Sequence, residues 1–255
     1  MLKELYQYRQ LLKSNVKKEI RGKYKGSFLG VLWSFVNPLL MTLVYAIVFP
    51  FLLKNSQEHY TTFIVIAILP WNWFTTSISQ GTNTILVNGG IIKKVFFPRA
   101  ILPISIIVSG LVNFLISCII ILLFLLFSGI GFSLNILYLP IIIGIQFILQ
   151  LGIILITSSV DVYVRDAEYI INFFISLLFY ATPILYSLDM FPQKIQFLLK
   201  LNPVAALIMS YKNIFYYKTA PDFLLLGYVL LVACIILWIG IKVFNKLEKG
   251  FAEEL

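Results

Sequence analysis

Apolar positions in this chain fall into long uncharged runs and into shorter stretches where they recur every three or four residues. One run begins near Phe28, directly after a dense basic cluster (Lys17, Lys18, Arg21, Lys23, Lys25), and meets no charge until Lys54. That is long enough to cross a bilayer core, which needs about 20 apolar residues. Further runs at roughly 60–79, 101–127, 136–160, 169–186 and 223–241 pass the same test, so the pattern predicts six spans. An even number places both termini on one side.

The shorter pattern marks two other regions. Leu2, Leu5, Tyr8, Leu12, Val16 and Ile20 share a helical stripe, while Lys3, Arg9, Lys13 and Lys17 take other positions. An amphipathic helix of this kind lies along anionic headgroups as an anchor, and it can also meet a partner. Between the fifth and sixth spans, 191–199 and 204–217 are apolar stretches of about 10 to 14 residues, too short to cross. They suit either re-entrant helices over an outward pathway or a hairpin lying on the outer leaflet. The predicted fold is thus an all-α integral membrane protein and a single transmembrane domain. An interface arm (1–27) precedes a six-span bundle (28–244) and a tail (245–255).

Charge fixes the orientation. Of the 20 Lys and Arg residues, the segments assigned inside hold fifteen and the outer ones five, so the N and C termini are predicted cytoplasmic. With 60% hydrophobic and 12% charged residues, the net charge of +9 reflects topology rather than nucleic-acid binding. Cys118 and Cys234 fall within apolar runs, as small hydrophobes rather than disulfide or metal partners. The first run lacks a signal-peptide cleavage site and is expected to be retained.

Two inner segments stand out. The first holds N-G-G at Asn88, Gly89 and Gly90, then I-I-K-K-V-F-F-P-R through Lys93, Lys94, Phe97, Pro98 and Arg99. The glycines and Pro98 bound a short helix over 91–97, which is either a docking element for a soluble partner or a loop with topogenic lysines. The second, D-V-Y-V-R-D-A-E, carries Asp161, Arg165 and Asp166; Asp161 and Arg165 stand in the favourable acidic-before-basic order. Chemistry of other kinds is missing. No span carries a clear mid-membrane charge of the sort that marks ion-coupled transport. His59 is the only histidine, and neither a phosphate-binding loop nor a nucleophile turn occurs. Uphill transport would therefore draw its energy from another subunit acting at the cytoplasmic surface.

Several separated motifs resemble one family. These are R-G-K-Y-K-G-S-F-L-G-V-L-W-S-F-V-N-P-L (21–39), I-L-P-W-N-W-F (68–74), K-K-V-F-F-P-R (93–99), V-R-D (164–166), T-P-I-L-Y (182–186) and L-N-P (201–203). In that order they are similar to the permease subunits of type-2 ABC exporters of cell-surface polysaccharides, the O-antigen (Wzm) and teichoic acid (TagG) type. The resemblance implies a homodimer in the bacterial cytoplasmic membrane, bound to two copies of a cytoplasmic ATPase that holds ATP and Mg. No cofactor is then expected in this chain, and no nucleic acid among its partners beside membrane lipids. The cargo implied is a lipid-linked glycan, with a lipid or drug as the alternative cargo. A membrane-embedded transferase acting on lipid-linked sugars is the competitor from another class. Carried over by motif, Asn88, Gly89, Gly90, Lys93, Lys94, Phe97, Pro98, Arg99, Arg165 and Asp166 would couple to the ATPase, and Thr182, Pro183, Tyr186, Asn202 and Pro203 would form an outer gate. Trp33, Phe35, Asn37, Trp71 and Trp73 are candidates for the glycan path, because aromatic rings stack on sugars as well as anchoring helices at interfaces.

Overall fold

The computed structural model describes residues 6–22 and 58–255, together with isolated helical positions between 33 and 48. Most of the first predicted span, including Phe35 and Asn37, lies outside the described residues. Among the described residues all regular structure is helical. The main elements are α1 (Arg9–Gly22), α2 (Tyr60–Thr82), α3 (Ile101–Phe127), α4 (Leu139–Asp161), α5 (Ala167–Tyr180), α6 (Gln193–Leu201), α7 (Pro203–Lys212) and α8 (Phe223–Leu247).

Four of these regions are long and apolar enough to cross a membrane: Tyr60–Thr82, Ile101–Phe127, Leu134–Asp161 and Phe223–Glu254. Each matches one of the predicted runs. The fifth run gives a shorter element, since α5 has 14 residues and stops at Tyr180 rather than continuing to 186. Pro183 disfavours helical backbone at Thr182, and the chain turns there instead.

Local chemistry sets the other ends. Asn202 caps α7 by accepting from the Val204 N–H at 2.9 Å, with Pro203 in the first turn, where a missing N–H costs nothing. The Asp222 carboxylate caps α8 through the N–H groups of Leu224 and Leu225. Helices α6 and α7 occupy the two short apolar stretches, parted at Asn202 as the sequence suggests.

Helix α2 forms the centre and packs on α3, α4, α5 and α7. Of its most apolar stretch 78% is buried, against 22% for α8, so α8 belongs to the rim. Helices α4 and α8 form the most intimate pair. A methyl group at Gly240 would stand 2.6 Å from the Gly152 carbonyl oxygen, and one at Gly152 would stand 2.6 Å from the Leu237 nitrogen. Small residues let membrane helices approach this closely, where dispersion contacts replace the hydrophobic drive.

Two apolar clusters result. The larger fills the bundle around Phe63, Trp73, Phe114, Tyr211 and Phe215. The smaller gathers Ile85, Ile92, Phe97, Val162, Phe244 and Phe251 at the other end, where the predicted inner segments meet the end of α8. Tyr8, Leu11 and Leu12 of the arm pack against it, and α1 lies on α3.

Candidate functional site

Three regions hold the residues singled out from sequence. In the first, the chain after α2 makes two single helical turns, Thr84–Val87 and Gly89–Ile92. The second turn starts at the glycines and ends before Lys93, whereas sequence suggests a helix over 91–97. Beyond it the chain runs as turn and bend over 93–95 and is irregular over 96–98. Asn88 joins the turns, its amide donating to the Thr84 carbonyl at 2.8 Å and accepting from the Lys18 ammonium of the arm at 3.3 Å. Gly89 packs under the Leu255 side chain, while Gly90 faces open space.

The turn presents Ile91, Lys93, Lys94, Val95 and Phe96 to the outside, Phe96 being 91% exposed. Phe97 points the other way and is buried in the smaller cluster. Arg99 is also turned inward: its guanidinium donates to the Glu248 carbonyl and lies 5.9 Å above the Phe251 ring. Arg165 and Asp166 are exposed on the neighbouring segment. The Asp161 carboxylate turns to its own chain and accepts the Glu168 N–H at 3.1 Å.

In the second region, Trp71 and Trp73 are buried. Trp71 sits between Phe74 and Phe179, and Trp73 stacks on Phe114 with centroids 5.0 Å apart. Trp33 is helical and half-buried. What α2 and its C-cap Asn83 leave open is a polar stripe: Asn72, Thr75, Thr76, Ser79 and Gln80, continued by Asn83. Ser79 donates to Asn172 of α5 at 2.7 Å, and Asn83 donates to Glu168 at 3.1 Å. Beside it a cavity of about 320 Å³ is lined by Lys18, Gln80, Asn83, Asn88 and Asn113, among others. The signal for the stripe was present in the sequence, as polar residues spaced three or four apart within an apolar run.

The third region brings Thr182, Pro183, Tyr186, Asn202 and Pro203 together. Asn202 donates to the Ala181 carbonyl at 3.1 Å and to the Thr182 hydroxyl at 3.3 Å. Tyr60 of α2 donates to the Leu185 carbonyl at 2.7 Å. Below the turn lies a residue that sequence counted only as an outer charge. Lys212 is 3% exposed, and its ammonium donates to the carbonyls of Pro183, Ile184 (3.2 Å) and Tyr186 (3.4 Å) while standing 3.4 Å over the Phe63 ring. Burial pushes this amine well below its usual range, and burial also raises the Tyr186 phenol. The carbonyls and the ring stand in for water around the charge. In turn, the ammonium supplies donors to a non-helical stretch that has few of its own. A cavity of about 260 Å³ opens beside it, lined by Tyr186, Gln196, Lys200 and Asn213 among others.

The sequence that builds these three regions is similar to known proteins along its length. Residues 10–216 match the family described as ABC-2 type transporter. An O-antigen export system permease protein RfbA of Myxococcus xanthus is 34% identical over 257 residues, covering 100% of this chain and 99% of that protein. Two proteins of the same description from Klebsiella pneumoniae are each 34% identical, over 239 and 244 residues, and each alignment covers 93% of this chain and 92% of theirs. The chain therefore belongs to the ABC-2 type transporter family and is a multi-pass protein of the inner membrane.

Proposed function

We propose that this chain is the membrane-spanning subunit of an ATP-driven exporter that moves a lipid-linked polysaccharide, of the O-antigen, capsule or teichoic acid type, across the cytoplasmic membrane. The observation that carries this reading is end-to-end likeness at 34% identity to proteins described as O-antigen export permeases. The arrangement of polar groups supports it. A neutral stripe of hydroxyls and amides on α2 and α5 suits a hydroxyl-rich cargo, and weak, distributed contacts let a long polymer slide. A lipid or drug cargo has no such need for a polar stripe.

The working unit in this reading is a homodimer of six-span subunits with both termini cytoplasmic. The first run and α5 supply the spans beyond the four long helices, and α6 and α7 form a re-entrant outer gate over the 182–186 turn. Two ATPase subunits bind ATP and Mg and press on the inner knob. Phe96, Val95 and Ile91 form its apolar point, and Lys93 and Lys94 flank it with charge. An exposed aromatic beside lysines is the kind of anchor that fills a pocket on a partner. Arg165 and Asp166 border the same contact.

The test is to purify the chain with the ATPase encoded beside it and to measure ATP hydrolysis with and without lipid-linked glycan. A stable complex whose hydrolysis responds to glycan is expected. No complex and no glycan response would sink the exporter reading.

A further inference from the structure

Both inner segments send one side chain to the same place, the C-terminal end of α8. Arg99 donates to the Glu248 carbonyl, and the Tyr163 hydroxyl donates to the Leu247 carbonyl at 2.8 Å. The last carbonyls of a helix have no partner within it, so donors from elsewhere are favoured there, and a cation doubly so because of the helix dipole. The chain then turns back through Phe251–Glu254, and the Phe251 ring fills the space between the two donors. It lies 5.9 Å from the Arg99 guanidinium carbon, 6.4 Å from the Tyr163 ring and 5.7 Å from Phe244, with no exposed surface. Leu255 completes the layer by resting on Gly89. Gly250 permits the fit: a methyl group there would stand 2.4 Å from the Tyr163 hydroxyl oxygen and no closer than 3.5 Å to the next atom of that ring.

We propose that the end of α8 and residues 248–255 form a brace that ties both inner segments into one rigid body with α8. A displacement applied to the 88–99 segment is then delivered to α8, and through the close Gly152 and Gly240 contact to α4, instead of being absorbed in flexible loops. Arg99 and Tyr163 are positioning residues in this scheme and touch neither nucleotide nor cargo. The proposal rests on the exporter reading above for the source of the displacement, but the rigidity itself does not.

The test uses the complex of the full chain with its ATPase and three variants: Tyr163→Phe, Gly250→Ala and the two combined. Each is expected to keep ATPase capture and the basal hydrolysis rate. Glycan exported per ATP is expected to fall about fivefold in Tyr163→Phe, the factor that corresponds to one ordinary hydrogen bond. Gly250→Ala should cause a similar loss by displacing the hydroxyl, and should add nothing in the Tyr163→Phe background, where the space is free. Unchanged export per ATP in both single variants overturns the brace. So does an alanine at 250 that harms export equally with and without the hydroxyl. Spin labels on Lys94→Cys and Val164→Cys, in a chain whose Cys118 and Cys234 are replaced, read the rigidity without the ATPase. One narrow distance distribution is expected, broadened by Gly250→Ala; no broadening refutes the brace, whereas failure of the wild-type chain to capture an ATPase refutes the exporter reading alone.

Discussion

At the scale of single residues, adjacent positions have opposite tasks. Phe96 is exposed and Phe97 buried, so truncating each should affect a different measurement. Phe97→Ala is expected to destabilise the chain by about 3 to 5 kcal/mol through lost burial and a residual cavity, seen as a lower unfolding temperature in detergent. Phe96→Ala should leave that temperature unchanged and weaken ATPase capture by about 2 kcal/mol, roughly thirtyfold, in a pull-down titration. Lys212 presents the opposite case, an amine turned inside. Lys212→Met keeps the volume but leaves the carbonyls of Pro183, Ile184 and Tyr186 without their donor. The expected cost is about 1 to 3 kcal/mol in chemical unfolding, together with faster labelling of a cysteine placed at Ser187.

At the scale of elements, helix contacts depend on where the backbone comes closest. Gly227 and Gly240 lie on the same helix, yet only the second meets another backbone. Gly240→Ala should force α4 and α8 apart and cost about 1 to 3 kcal/mol in thermal stability. Gly227→Ala, with nothing within 4 Å, should instead gain about 0.5 to 1 kcal/mol from better helix propensity. Element ends follow the same logic of local cause. Pro183 ends α5 early, because it denies helical backbone to Thr182 just ahead of it.

At the scale of the whole molecule, charge and apolarity divide the work. Reversing Lys93 and Lys94 together, as Lys93→Glu and Lys94→Glu, should leave membrane insertion intact because most of the basic residues assigned to the cytoplasmic side remain. Export measured in cells should nonetheless fall about tenfold or more, since opposed charge at a contact costs several kcal/mol. The long helices and the paired short helices were legible in the sequence, because the runs that make them differ from their surroundings in length and period. The residues of the outer turn were also marked, through motif. Facing was not legible. Spacing alone does not distinguish Phe96 from Phe97, nor does it place Trp71 and Trp73 in the packed interior and Thr76 and Gln80 beside a cavity. Those facts depend on which helices lie next to α2, and the burial of Lys212 depends on a turn some 30 residues earlier in the chain.

The end of α8 has a consequence for how such proteins drift in sequence. Arg99 and Tyr163 reach main-chain oxygens there, so these bonds put no requirement on the side chains at 247 and 248. A substitution at 247 leaves the Tyr163 hydroxyl its main-chain acceptor, and that bond calls for no compensating change at 163. Gly250, by contrast, is coupled to Tyr163, because a side chain there has to displace the hydroxyl at the end of that ring. A comparison of many relatives by paired variation would therefore pass over the two hydrogen bonds and register the steric one.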